Sequence, residues 1–204
     1  YGIGNFGIDQ AILKINKIKK RNISKIIVIN VVPETILRIH SFWKHYLEFG
    51  NYFGFKPKYI LKNKKLILLK SPIKKNYNEK KIYNKIKYLK KNDIFYEKKF
   101  SKLKFSFPYT VKFLNKPIRN SKIFCYIILF QMFNFFTFKN LGLYFYQKAF
   151  GIILNENIIM SHKMYKNDKY TKLLNELIKN FSKKLKKKNK KLVILITPQL
   201  FDLN

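Results

Sequence analysis

Lys25-Ile26-Ile27-Val28-Ile29-Asn30-Val31-Val32 is a run of β-branched residues with a single polar interruption. Such side chains suit a pleated surface. A run without polar alternation is the pattern of a strand covered on both faces, as in a parallel sheet. Upstream, Ile8, Ala11, Ile12, Ile15 and Ile18 recur at helical spacing. They predict a helix over about 8–20 with its apolar face inward. Toward the other end, Tyr170, Leu173, Leu174, Leu177, Ile178, Phe181 and Leu185 form a second helical stripe. A lysine-rich run over 183–191 closes it, and Leu192-Val193-Ile194-Leu195-Ile196 follows as another buried strand. Helix then strand at both ends predicts an α/β fold: a three-layer αβα sandwich with a parallel sheet and helices on both faces.

Between these ends the pattern is looser. Pro33 fits the first turn of a helix running to about Phe49, with Ile36, Ile39, Trp43 and Tyr46 on one side and Gly50 and Gly54 breaking it. Tyr59–Leu61 and Leu66–Leu69 read as two short strands around an Asn63-Lys64 turn, bracketed by Pro57 and Pro72. Residues 76–100 read as a lysine-rich helix carrying Tyr77, Ile82, Ile86, Leu89 and Phe95. Leu103, Phe105 and Phe107 alternate like a strand, and Val111, Phe113 and Leu114 fit either state. Residues 123–138 are the most apolar stretch, interrupted by Gln131 and Asn134 and shorter than the ~20 residues that span a bilayer. Two readings stand: a core or subunit-facing helix, and a membrane-lying helix flanked by Lys122 and Lys139. Cys125, within it, reads as a packing residue. The organisation expected is a single, incomplete domain over 1–204 with an inserted hairpin and helical cap over 50–160.

The 204 residues carry 44 basic and 10 acidic side chains, a net charge of +34. Taken alone, that charge points to nucleic acid or an anionic membrane surface. Arginine, the favoured fork for phosphates and base edges, stands only at Arg21, Arg38 and Arg119. Lysine richness alongside Asn, Ile, Phe and Tyr fits an A/T-biased coding sequence, and nucleic acid is not the expected partner. A lone cysteine, Cys125, excludes a disulfide framework and any CxxC site. No metal-ligand spacing and no cofactor motif is recognisable.

Three glycines and an asparagine fall within Tyr1-Gly2-Ile3-Gly4-Asn5-Phe6-Gly7, just before the first helix. A turn of this kind can aim amides at a phosphate or an oxyanion, or serve only as a tight connection. It has no Gly-Lys-Ser/Thr ending. Its G-x-G-x-x-G spacing has no strand before it and no acid over 21–25, where a dinucleotide site would need one.

The run resembles the second sequence block of the SGNH/GDSL hydrolases, which in one branch reads Asn-Phe-Gly-Val-x-Gly-Tyr-Gly-x-Asp-Gln. Tyr1-Gly2-Ile3 and Phe6-Gly7-Ile8-Asp9-Gln10 fall into its register, with Asn5 in place of the second Gly. The likeness continues at Val31-Val32-Pro33-Glu34-Thr35-Ile36-Leu37-Arg38, at Gly54-Phe55-Lys56-Pro57-Lys58-Tyr59-Ile60-Leu61 and at Ile196-Thr197-Pro198-Gln199. It implies an acyl-ester hydrolase or transferase acting on a small-molecule or saccharide ester, with a cell-envelope location plausible from the family. It makes the Gly2 amide an oxyanion-hole donor, a group worth ~2.7–4 kcal/mol of transition-state stabilisation. Asp9 and Gln10 match the block and also fit a role in capping the first helical turn. Glu34 and Arg38, four apart, fit a helix-surface ion pair as well as a substrate clamp.

A serine hydrolase needs a nucleophile, a base and a group that orients the base. No serine follows an aspartate, and none of His40, His45 and His162 has an aspartate three residues earlier. Each histidine reads as a surface or packing residue. The nucleophile and acid–base residues are therefore not in this chain. Two accounts remain, a fragment of a longer hydrolase and a chain that has lost catalysis, and neither predicts ester turnover by these residues alone. The alternative function is a noncatalytic basic module at a membrane surface. Oligomeric state is open.

Overall fold

The computed structural model describes residues 7–18, 24–42, 55–71, 84–96 and 109–198. Two compact units share the chain. One takes Tyr1–Tyr46, Asn51–Phe95 and Ile158–Asn204; the other takes Leu47–Gly50 and Tyr96–Asn157. The fold is mixed α/β, mostly helical, with a small parallel sheet and a separate antiparallel pair.

In the first unit, helix α1 (Ile8–Lys17) leads to strand β1 (Ile26–Val31), and helix α2 (Thr35–Ile39) follows. The hairpin β2 (Lys58–Lys62) and β3 (Lys65–Leu69) comes next, then the short helix α3 (Ile86–Asn92). Because β1 and the last strand of the chain are parallel, their register brings the two helix–strand repeats side by side. That last strand, β4 (Lys191–Ile196), pairs with β1 from Ile26↔Lys191 to Val31↔Ile196.

One apolar cluster holds this unit. Ile8 and Ile12 of α1, Ile27 and Ile29 of β1, and Ile39 of α2 meet four residues of the long helix described next: Leu173, Leu177, Phe181 and Leu185. Full burial of one such side chain contributes about 1.5–3 kcal/mol. That helix, α7 (Asp168–Lys186), begins where Asn167 accepts the Lys169 amide at 3.0 Å and ends in lysines that suit its negative pole. Asn189, in the left-handed region at φ 52°, turns the chain into β4.

Expectation and structure differ on the sheet. β1 and β4 were expected to be covered on both faces; among the described residues, helices pack on one face. Ile27, Ile29, Leu192 and Ile194 pack on α1 and α7. On the other face Val28 is 60% exposed and Leu195 52%. The β-branched run therefore identifies the strand and its parallel partner, but it does not say how many layers cover it. Helix α2 is also shorter than predicted, since the chain leaves helical form at His40. Trp43, Tyr46 and the Gly50 and Gly54 break lie outside the described residues. So do the two ends of the helix expected over 76–100, of which Ile86–Asn92 is helical, and the alternating Leu103, Phe105 and Phe107.

The second unit contains helices α4 (Tyr109–Leu114), α5 (Pro117–Phe135) and most of α6 (Lys139–Tyr165). Pro117 opens α5 at the position where a missing amide costs nothing. Ile123, Ala149 and Ile153 form a small core between α5 and α6. Arg119 clamps Glu156 through Nε at 2.9 Å and Nη2 at 2.8 Å. Burial alone would raise the Glu156 carboxyl; the hydrogen bonds and charges of Arg119 and Lys116 outweigh it and hold it below its ordinary range. The rest of the stretch read as a core helix is half-buried on the side facing that core, where Tyr126 and Ile127 pack, and exposed on the other. Ile123 is the one buried residue of α5, and Cys125 is exposed rather than packed.

The β2–β3 turn carries a local penalty. Asn63 and Lys64 both have positive φ, 50° and 59°, the signature of a two-residue hairpin that favours Asn-Gly. Left-handed backbone costs an L-residue roughly 1–2 kcal/mol. Lys64→Gly is expected to raise the stability of the chain by about 0.5–1 kcal/mol, the remainder going to glycine's extra unfolded-state entropy; urea denaturation measures the difference.

Candidate functional site

The glycine-rich turn enters α1 at Gly7, whose backbone is extended (φ −84°, ψ 171°) and which offers no side-chain cap. The first amides of a helix need outside partners. Here the Ile8 amide donates to the Thr35 hydroxyl at 3.1 Å, a fully buried bond. Thr35 opens α2, four residues beyond the end of β1. The N-terminus of α1 is thereby fastened at the carboxyl end of the parallel pair, the edge where open α/β sheets bind ligands.

Asp9 lies inside this junction rather than capping the helix. Its carboxylate is fully buried, and its Oδ2 accepts from Lys56 Nζ at 2.8 Å and Gln10 Nε2 at 3.2 Å. Gln10 Nε2 also donates to the Pro57 carbonyl at 2.7 Å. Asp9 Oδ1 is buried without a hydrogen-bond partner. Gly7 is required by the same carboxylate: a Cβ there would stand 2.7 Å from Asp9 Oδ1 and 3.1 Å from Arg38 Cβ.

Glu34 and Arg38 are not a surface pair. Arg38 Nη2 meets Glu34 Oε2 at 2.8 Å with side-chain exposures of 12% and 6%. Glu34 Oε1 is a second buried acceptor without a hydrogen-bond partner. Gly7, Asp9 and Arg38, with Glu34 paired to Arg38, thus meet at one corner of the unit.

Lys56 and Lys58 extend the polar cluster. Both are buried. The Lys56 amide donates to the Phe42 carbonyl at 2.7 Å, and Lys58 Nζ donates to the His40 carbonyl at 3.0 Å and sits 4.9 Å from the Phe42 ring centre. Asp93 fixes the 41–42 turn: Oδ2 accepts from Ser41 Oγ at 2.9 Å and the Phe42 amide at 2.7 Å, and Oδ1 from the Phe95 amide at 2.9 Å. Burial lowers the Lys58 ammonium to about 8, against the pull of Asp93. Burial likewise raises the Asp93 carboxyl, with Lys58 and its hydrogen bonds opposing. Tyr59, next in the strand, has its phenol raised by burial and then by the Asp9 charge.

His40 closes the cluster. Its Nε2 lies 3.0 Å from the Tyr170 carbonyl and its ring meets Tyr170 edge-on at 5.4 Å. Desolvation holds the imidazole down at about 4, overcoming the Tyr170 bond, with Lys58 and Lys56 pushing the same way and Asp9 against. A group so placed is a packing residue and a neutral donor. His162 is exposed. Gly2, the residue expected to donate to an oxyanion, and His45 lie outside the described residues. Among the described residues no group of three or more His, Cys, Asp or Glu is placed to hold a metal.

Asp9, Gln10, Glu34 and Arg38 stood out in the sequence; Lys56, the partner of Asp9, and Lys58 and Asp93, which hold the adjoining 40–42 segment, did not. For the two lysines the signal available was the Phe55-Lys56-Pro57-Lys58 stretch itself, which places them beside a proline at the entry to a strand. Compared with family models, curated proteins and solved structures, the chain matches none.

Removing one partner of a buried ion pair leaves the other charge stranded, a loss of about 3–5 kcal/mol. Lys56→Met is expected to destabilise the chain by that amount in urea denaturation, and Asp9→Asn/Lys56→Met by clearly less than the sum of the two single changes. A second expectation concerns acid. The folded state keeps His40 neutral where the unfolded chain, at 6.5, would protonate, so its contribution is complete above pH 6.5 and is lost as pH falls toward 4. His40→Gln, which keeps a donor for Tyr170, should flatten the stability profile across that window.

Proposed function

We propose that this chain is the oxyanion-side half of an SGNH-type acyl-ester hydrolase or transferase, with a three-layer αβα sandwich as its complete architecture. The observation that carries the reading is the buried bond from the Ile8 amide to the Thr35 hydroxyl. It ties the N-terminus of α1, which the glycine-rich sequence precedes, to the carboxyl end of a parallel strand pair. An oxyanion hole needs amides fixed before the reaction begins, because donors that reorganise during it give back their advantage. Attachment of α1 to α2 supplies that fixity at Ile8, where the helix begins. The exposed apolar face of β1 and β4 is where a second helical layer of such a sandwich would lie.

In this reading Gly2 donates its amide to the oxyanion of the tetrahedral intermediate. Asp9, Lys56 and Gln10 are positioning residues that hold the helix behind it. The nucleophile and the acid–base pair lie on other parts of the fold, and the substrate is an acyl ester on a small molecule or saccharide. The net charge of +34 would favour an anionic ester over a neutral one.

The experiment uses the chain carried in its full reading frame. Covalent labelling of a serine by a fluorophosphonate and turnover of p-nitrophenyl acetate are expected, and Gly2→Pro, which deletes one amide donor, should cut kcat by about 100-fold or more with labelling retained at a slower rate. Absence of any labelled serine overturns the reading.

A further inference from the structure

The second unit presents a surface that the ester-hydrolase reading does not use. Helices α5 and α6 form a hairpin whose connecting turn carries Phe135, Phe136 and Phe138, and Phe135 is 82% exposed. Phe124, Ile128 and Met132 form a stripe along the outward side of α5, where a water-facing helix would be polar. On α6, Leu141 and Tyr144 are exposed one turn apart, and Leu143 is exposed well round the helix from Leu141, so the apolar surface is wider than one narrow stripe. Exposed apolar patches of this extent mark interaction sites.

We propose that the tip of this hairpin enters the interfacial layer of an anionic lipid bilayer, from one side and without crossing it. Three observations select lipid over a protein partner. First, the apolar groups face outward from both helices and from the turn. A partner helix covers one face, whereas lipid surrounds whatever enters it. Second, from Pro117 to Asn155 there is no acidic residue, against Lys122, Lys139 and Lys148, while Arg119 is neutralised by Glu156 just beyond that stretch. A second copy of the chain would bring the same cations against these, and like charges facing each other oppose association. Anionic headgroups complement them.

Third, four amides of the turn are already taken up internally, which lowers the cost of moving it out of water. The amides of Phe136, Thr137, Phe138 and Lys139 donate to the carbonyls of Met132, Asn134, Phe133 and Thr137 at 2.9–3.3 Å. The Thr137 hydroxyl donates to the Phe136 carbonyl at 2.6 Å. Inside the hairpin, Phe133 stacks on Phe145 with ring centres 5.5 Å apart, so the tip enters as a preformed wedge. Lys139 reaches back toward headgroups. Lys148 lies about 14 Å along α6 from it, near phosphate level for a shallowly inserted tip. Among the described residues no helix is long and apolar enough to cross a membrane, which fits entry from one side.

Flotation of the whole chain with phosphatidylcholine vesicles, with and without phosphatidylglycerol, tests this. Because the net charge of +34 would attach any such chain to anionic vesicles at low salt, the deciding comparison is with Phe135→Ser/Phe136→Ser/Phe138→Ser, which has the same charge. The chain should float with the phosphatidylglycerol vesicles and remain partly bound at high salt, and the triple variant should partition at least about tenfold more weakly. Equal partitioning of the two overturns the proposal, as does failure of the unaltered chain to float. So does a self-association of the chain that the triple substitution abolishes while flotation persists. Should the triple variant not fold, Phe136→Trp serves instead: quenching of its fluorescence by brominated lipid is expected, and emission indifferent to that lipid overturns the insertion.

Discussion

Asp9 and Lys56 meet at 2.8 Å with almost no exposure to water, and the first unit is arranged around that contact. Desolvating two charges is expensive, and their attraction offsets the cost only where the remaining polar atoms are also engaged. Gln10 and the Pro57 carbonyl take up part of that role. The pair joins the start of α1 to the segment entering β2. The Lys56 amide then holds Phe42, Asp93 holds the turn through Ser41 and Phe42, and Lys58 holds His40. Apolar packing alone would tolerate α1 sliding by a turn against β1. Directional bonds to named atoms fix which turn of the helix stands at the sheet's edge.

This explains why Gly7 has no side chain even though its φ would suit any residue. The constraint is space: the Asp9 carboxylate and the Arg38 stem occupy the volume a Cβ would need. The same crowding leaves Asp9 Oδ1 and Glu34 Oε1 buried without hydrogen-bond partners, and each is a free energy cost of roughly 1–3 kcal/mol. A fold that carries two such groups at one corner is bearing a cost there, which is common where a site needs fixed charge. The corner is the carboxyl end of the parallel pair.

The two units solve opposite problems. In the first, charged groups are taken inside and paired. In the second, large apolar groups are left outside, with internal polar bonds completed at the turn. One lysine-rich composition serves both, because lysine can be buried when a carboxylate awaits it, as at Lys56, and can border an apolar surface, as at Lys148. Composition therefore said little about where the charge would be used.

The sequence by itself determined the elements whose signal is periodic: the helix read over 8–20, the stripe from Tyr170 to Leu185, the strands read at 25–32 and 192–196, and the hairpin around Asn63-Lys64, each matched by an element within a few residues of those bounds. Those follow from side-chain spacing, a property of neighbours along the chain. It also singled out Asp9, Gln10, Glu34 and Arg38 through their likeness to a hydrolase block. The tertiary structure alone decided how deeply those residues are buried and what they touch. Asp9 finds its counter-charge 47 positions away, and Ser41 its acceptor 52 away, distances over which spacing carries no information. It likewise decided that, among the described residues, helices pack on one face of β1 and β4, and that the apolar stretch in α5 is exposed on the side away from its small core. Whether a hydrophobic side chain is buried depends on what the rest of the chain brings to it.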